Sequence, residues 1–166
     1  NLDEIKKRLN DWLETSLVRS GGREWPYYSG KKHRILIEEY LGVEGESLND
    51  YKFCCFEGKV YYVFLFTERD FGKSVKLAIY DRNFKKLPYY DRVEIMDLCV
   101  REKPKNYEKM CQLAEKLAKP FPHVRIDLYN IKGKIYFGEF TFYPWSGYEA
   151  CEPDEFDFML GKKFIL

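Results

Sequence analysis

The chain reads as an α+β protein, an antiparallel sheet with helices packed on one face. Two observations carry that reading. From Asn106 to Lys119 the residues Tyr107, Met110, Cys111, Ala114, Leu117 and Ala118 recur at the i, i+3, i+4, i+7 spacing of an amphipathic helix, which Pro120 and Pro122 stop. On either side of this helix, alternating apolar and polar runs are joined through Gly58 and through Gly133, the pattern of hairpins rather than of crossovers. Strands joined by hairpins are antiparallel, and their apolar face needs a helical cover.

Each element can be placed in order. Ile5, Leu9, Trp12, Leu13 and Leu17 predict a helix over residues 3–17, with Asp3 and Glu4 in the first turn, where the helix dipole favours acids, and Gly21-Gly22 as its end. A polar, aromatic loop from Arg23 to Lys32 contains Pro26. Ile35, Leu36 and Ile37 predict a short apolar strand running into Glu38, Glu39, Tyr40 and Leu41 before Gly42. Asn49 to Lys52 opens a strand that continues to Phe56, and Gly58 turns it into a partner over Val60 to Phe66. Val75 to Tyr80 alternates as a further strand, followed by a turn at Asp81-Arg82-Asn83 and a looser stretch with Pro88 to about residue 104. Pro153 starts a last helix with Phe156, Met159 and Leu160 on its packing side and Gly161 as its stop. The 166 residues and 20.0 kDa suit one domain spanning the whole chain.

Composition excludes several function classes. Twenty-eight basic against 27 acidic residues leave a net charge of +1, so no long-range field attracts nucleic acid or an anionic membrane. Neither a signal peptide nor an apolar run of membrane-spanning length is present in the sequence. Aromatic residues make up 18%, which a tyrosine-rich sheet explains more economically than a stacking surface. The five cysteines form no C-x-x-C pair, and adjacent Cys54 and Cys55 point to opposite strand faces, so all five read as reduced thiols of a cytoplasmic protein. Asp70-Phe71-Gly72 matches a kinase magnesium tripeptide without the accompanying catalytic loop, and reads as a turn.

The stretch that carries chemistry is the second hairpin, Val124 to Pro144. Arg125, Asp127 and Tyr129 share one face of its first run, and Ile135, Phe137, Glu139 and Thr141 share one face of its second. A three-residue loop of Ile131, Lys132 and Gly133 would pair Asn130 with Lys134, set Arg125 opposite Glu139, and leave Asp127 and Glu139 as diagonal neighbours. Diagonal neighbours lie roughly 7–8 Å apart, within reach of shared metal ions. A two-residue loop would put the acids on opposite faces. The alternative is a solvated face with a cross-strand Arg125–Glu139 ion pair. Thr141, Pro144, Ser146 and Gly147 continue Glu139 into a polar turn suited to a metal-phosphate site.

The succession I-L-I-E-E-Y-L (35–41), N-D-Y-K-F-C-C-F-E-G-K (49–59), F-P-H-V-R-I-D-L-Y (121–129) and G-K-I-Y-F-G-E-F-T-F-Y-P (133–144) resembles the ATP-grasp superfamily, and more narrowly its TupA-like branch, associated with teichuronopeptide and other cell-surface polysaccharide synthesis. The resemblance implies the C-terminal subdomain of an ATP-grasp enzyme, using ATP and Mg2+ to activate a carboxylate as an acyl phosphate that an amine then attacks. It implies that Asp127 and Glu139 carry magnesium, with Thr141 as a further ligand, and that Arg125 stabilises the transferred phosphate. Glu38, Glu39, Tyr40 and Leu41 match the adenine hinge, Asp50 the acid near the ribose, and Lys52 a phosphate contact, with Arg69 and Lys76 as weaker candidates.

The family's N-terminal substrate region, its phosphate lysine and its glycine-rich loop have no counterpart before Asn1, so the chain is expected to be the C-terminal part of a larger enzyme, completed in cis or by a partner chain. The expected substrate is a small molecule or a glycan or peptide precursor. A phosphotransferase on the same scaffold and a non-catalytic nucleotide- or partner-binding module are the alternatives.

Overall fold

A computed structural model describes residues 1–14, 30–42, 47–70, 74–92, 94–148 and 150–164. The chain packs as two units, Asn1–Leu41 with Trp145–Gly147, and Gly42–Pro144 with Tyr148–Leu166. In the first, helix α1 (Leu2–Glu14) carries Asp3 and Glu4 in its first turn, and the Arg8 guanidinium lies over the Trp12 ring at 5.4 Å. The imidazole Nδ1 of His33 donates to the Leu13 carbonyl at 2.8 Å, tying the following segment to the helix. The expected helix end at Gly21-Gly22 lies outside the described residues. The strand expected over Ile35–Ile37 is not formed: residues 31–41 are irregular, and Leu36 and Ile37 are each 80% exposed. Apolar residues alone do not make a strand without a ladder partner, and no described strand of this unit supplies one.

The second unit is built on a six-stranded sheet of β1 (Asp50–Phe56), β2 (Lys59–Asp70), β3 (Ser74–Asp81), β5 (Ile95–Met96), β6 (His123–Ile131) and β7 (Lys134–Thr141), in the order β5-β3-β2-β1-β6-β7. A small pair joins β4 (Tyr90–Asp91) to β8 (Cys151–Glu152). Helix α2 (Tyr107–Ala118) packs Met110, Cys111 and Ala114 on one face, against Phe53, Val63 and Ile126. Helix α3 (Asp154–Gly161) packs on the other, where Phe156 meets Phe64, Leu77 and Ile79. The fold is therefore α+β as expected, with two differences. The sheet includes one short parallel pairing, β3 with β5, and helices cover both faces rather than one. The second difference follows from strand alternation: Phe64, Phe66, Leu77 and Ile79 leave an apolar patch on the face that α2 does not reach, and burying it demands a second cover.

Register at two irregularities decides what the α3 face displays. The β6–β7 turn has two residues, Lys132 and Gly133, at φ 53° and 89°, so Ile131 pairs with Lys134 and the expected three-residue loop is absent. The Asn130 Oδ1 accepts the Gly133 N–H at 3.0 Å and the Asn106 amide donates to the Gly133 carbonyl at 2.8 Å, which fixes the tighter turn. By itself that register would turn Glu139 to the α2 face. A bulge reverses it: pairing steps from Leu128↔Phe137 to Ile126↔Phe140, so Gly138 and Glu139 together oppose Asp127. Glu139 and Thr141 thereby return to the side of Arg125 and Asp127. In β2, a register shift beyond Thr67 with Glu68 at φ 50° likewise turns Glu68 towards Lys76 and Arg101, and Arg69 towards the α3 face.

Candidate active site

Strands β1, β6 and β7 lie side by side, and their pairings stack Lys52 beside Asp127 and Arg125 beside Thr141. Asp127 is the centre of the resulting cluster and is 2% exposed. Its Oδ1 accepts from Arg125 Nε at 2.8 Å, and its Oδ2 from Arg125 Nη2 at 2.9 Å and from the Lys52 ammonium. A buried carboxylate needs such compensation, and the two-point arginine contact also fixes the plane of the guanidinium. The same Nη2 reaches the Thr141 hydroxyl at 3.0 Å and Glu139 Oε1 at 3.4 Å, and that hydroxyl donates to Glu139 at 3.0 Å. The cross-strand Arg125–Glu139 contact is thus longer than the guanidinium's bonds to Asp127 and Thr141, and Glu139 points its carboxylate outward with 63% of the side chain exposed.

Asp50 closes the other side. Its Oδ2 pairs with Lys52 Nζ at 2.8 Å and with Arg69 Nη2 at 3.5 Å, while its Oδ1 is buried without a hydrogen-bond partner among the described residues. Lys52 and Arg69 both lie over the Phe66 ring, at 5.4 and 5.8 Å, so the apolar floor of the site is shared with the core beneath α3. The cluster therefore brings together Asp50, Lys52, Arg125, Asp127, Glu139 and Thr141, with Arg69 at its margin. Lys76 is not among them: it lies on the α2 side with Ala78 and Tyr80, and pairs with Glu68 at 2.5 Å. Glu38, Glu39 and Tyr40 are exposed and Leu41 half-buried in the first unit.

Two neighbours of the cluster carry no signal of a role in the sequence. Tyr129 stands on the same strand face as Asp127 and opposite Asp50. Burial, reinforced by the Asp50 charge, pushes its hydroxyl above the usual range, so it stays a neutral donor beside the carboxylates. Gly138 is the bulge residue, and a Cβ there would stand 3.1 Å from the Asp127 carbonyl oxygen and 3.2 Å from the Tyr129 ring. A glycine inside an alternating strand is the one signal that could have announced the bulge. Further along β6, burial and then the neighbouring Arg125 hold His123 below its ordinary range, between the Phe56 and Phe164 rings.

The donor set fits a hard divalent cation. Among the described residues no three His, Cys, Asp or Glu side chains converge as a ready cage. Magnesium does not require one, because it commonly takes one or two carboxylates and completes its shell with water and phosphate oxygens. Asp127 and Glu139 could supply two carboxylates, Thr141 a hydroxyl, and Asp50 Oδ1 a buried oxygen.

A family model described as TupA-like ATP-grasp matches residues 1–165. No curated protein and no solved structure gives a significant match. No described helix is long and apolar enough to cross a membrane.

Proposed function

The chain belongs to the TupA-like ATP-grasp family, and from that premise we propose that it is the magnesium- and phosphate-handling part of an ATP-dependent carboxylate–amine ligase in cell-surface polysaccharide or glycopeptide synthesis. The observation that carries the proposal is the buried Asp127 carboxylate held between Lys52 and Arg125, with Glu139 and Thr141 gathered on the same guanidinium. Cations and oxygen ligands in one place are what a magnesium–triphosphate complex needs, and an exposed carboxylate face alone would not require them.

In this reading Asp127 and Glu139 hold the metal and Thr141 orients Glu139 through its hydroxyl. When bound, Mg-ATP supplies the phosphoryl group that activates the substrate carboxylate. Arg125 is placed to neutralise charge on that group and on the resulting acyl phosphate, its planar fork already fixed by Asp127. Lys52 offers a point charge to the phosphates, and Asp50 acts as its anchor and as an acceptor for a ribose hydroxyl. For adenine the family resemblance names Glu38 to Leu41, on sequence alone.

The test is Glu139→Gln, which keeps shape and hydrogen bonding but removes the ligand charge. ADP release in the presence of the acceptor should fall to background while the melting temperature stays within about 1 °C, since surface substitutions are usually small in effect. Unchanged turnover would contradict the proposal.

A further inference from the structure

The Lys52 ammonium occupies the position of a cation. It bridges two buried carboxylates, Asp50 Oδ2 at 2.8 Å and Asp127 Oδ2, and it is itself 9% exposed. With the two Arg125 bonds, Asp127 already has three of its roughly four acceptor positions filled. With Oδ2 already accepting from both Arg125 and Lys52, a metal ion can take that oxygen only by displacing a donor. Beyond its two bonds to Asp127, Arg125 is held by two further acceptor atoms of the cluster, on Glu139 and Thr141, and its fork has little freedom to leave. Lys52 has a single flexible stem and a second partner, Asp50, whose Oδ1 is buried and vacant of donors.

We propose that Lys52 is the resident counter-ion of Asp127, displaced when a divalent cation binds, and that Asp50 is the positioning residue that keeps the displaced ammonium paired. The exchange leaves no buried charge stranded, which is the costly outcome. The ammonium passes from Asp127 wholly to Asp50, turning about its own stem, and its freed hydrogens then face the phosphates that arrive with the metal. Counter-ion of Asp127 and cation for the phosphates thus become two roles of one side chain. On the move, Asp50 Oδ1 would accept a hydrogen from the ammonium. The inference rests on the metal-binding reading of Asp127 and Glu139.

The exchange makes Lys52 a direct competitor of the metal, which metal-binding measurements on variants can read. Mn2+ binding, followed by the loss of the free ion's electron-spin resonance signal without nucleotide, should tighten about tenfold in Lys52→Met, because the competing cation is gone. It should weaken in Asp50→Asn, where Lys52 has only Asp127 to hold, and stay near wild type in Lys52→Arg. Because Lys52→Met removes a buried counter-charge and lowers stability, a second readout is its thermal rescue: Mn2+ should raise the melting temperature of Lys52→Met by more than that of the wild type. Metal affinity in Lys52→Met equal to or weaker than wild type, with no excess rescue, would overturn the exchange while leaving Asp127 as a ligand. An Mn2+ affinity unaffected by Asp127→Asn would overturn the metal reading itself.

Discussion

Gly138→Ala is the sharpest perturbation of the site, because it adds a single methyl at the bulge that determines which way Glu139 faces. The added Cβ would lie 3.1 Å from the Asp127 carbonyl oxygen and 3.2 Å from Tyr129 Cε2, closer than such contacts normally allow. One neighbour is backbone and the other a half-buried ring packed in the same cluster, so neither yields without moving Asp127 or the bulge. Overpacking of this kind costs about 1–3 kcal/mol. For a protein of this size that lowers the melting temperature by roughly 2–12 °C. The effect on ligand binding should exceed what the stability loss explains, because the strain is relieved along the carboxylate pair: magnesium-dependent nucleotide affinity should fall about tenfold. Gly161→Ala is the control, since its Cβ would meet nothing within 4 Å and it sits at a helix end. Scanning fluorimetry with and without Mg-ATP reads both quantities. A Gly138→Ala protein that melts and binds like wild type would refute the role assigned to the bulge.

Two further outcomes concern stability. Burial pushes the Asp97 carboxyl up, but Arg101, the Cys99 N–H and the Thr67 hydroxyl outweigh it and hold the group below the usual carboxylate range. Its contribution is therefore complete above about pH 4 and is lost as pH falls through the lowered value, so Asp97→Asn should cost about 2–3 kcal/mol at pH 7 and flatten the acid limb of a urea-midpoint profile. His123 resists protonation through burial and then through Arg125, so the folded state should lose stability as pH drops below the ordinary histidine value of 6.5. His123→Gln should remove that slope between pH 7.5 and 5, and an unchanged slope would assign it to other groups.

Long-period features were legible in the sequence because they depend on many residues at once. The apolar stripe of α2 and the glycine-turned hairpins emerge close to where their spacing puts them. The short strands β4, β5 and β8 have two residues each, too few for any period to register. The α3 cover was misplaced because a helix stripe shows that a face is apolar, not which side of a sheet it meets. The candidate site illustrates a subtler limit. Arg125, Asp127, Glu139 and Thr141 do gather, but through a shorter turn and a compensating bulge rather than through the longer loop that alternation suggested. A period of two is blind to a pair of one-residue changes that cancel, and only Gly138 marks where the second one lies. Arg69 reaches Asp50 by the same device, one residue beyond Glu68 in its left-handed conformation.

Calorimetric titration of ATP into the wild type and Asp127→Asn, each with Mg2+ and with EDTA, tests the central assignment most directly. If Asp127 and Glu139 hold the metal of a nucleotide complex, the wild type binds ATP only with Mg2+ present, and Asp127→Asn binds at least about tenfold more weakly with its fold intact. Equal affinity of the two proteins, or binding indifferent to EDTA, would contradict it.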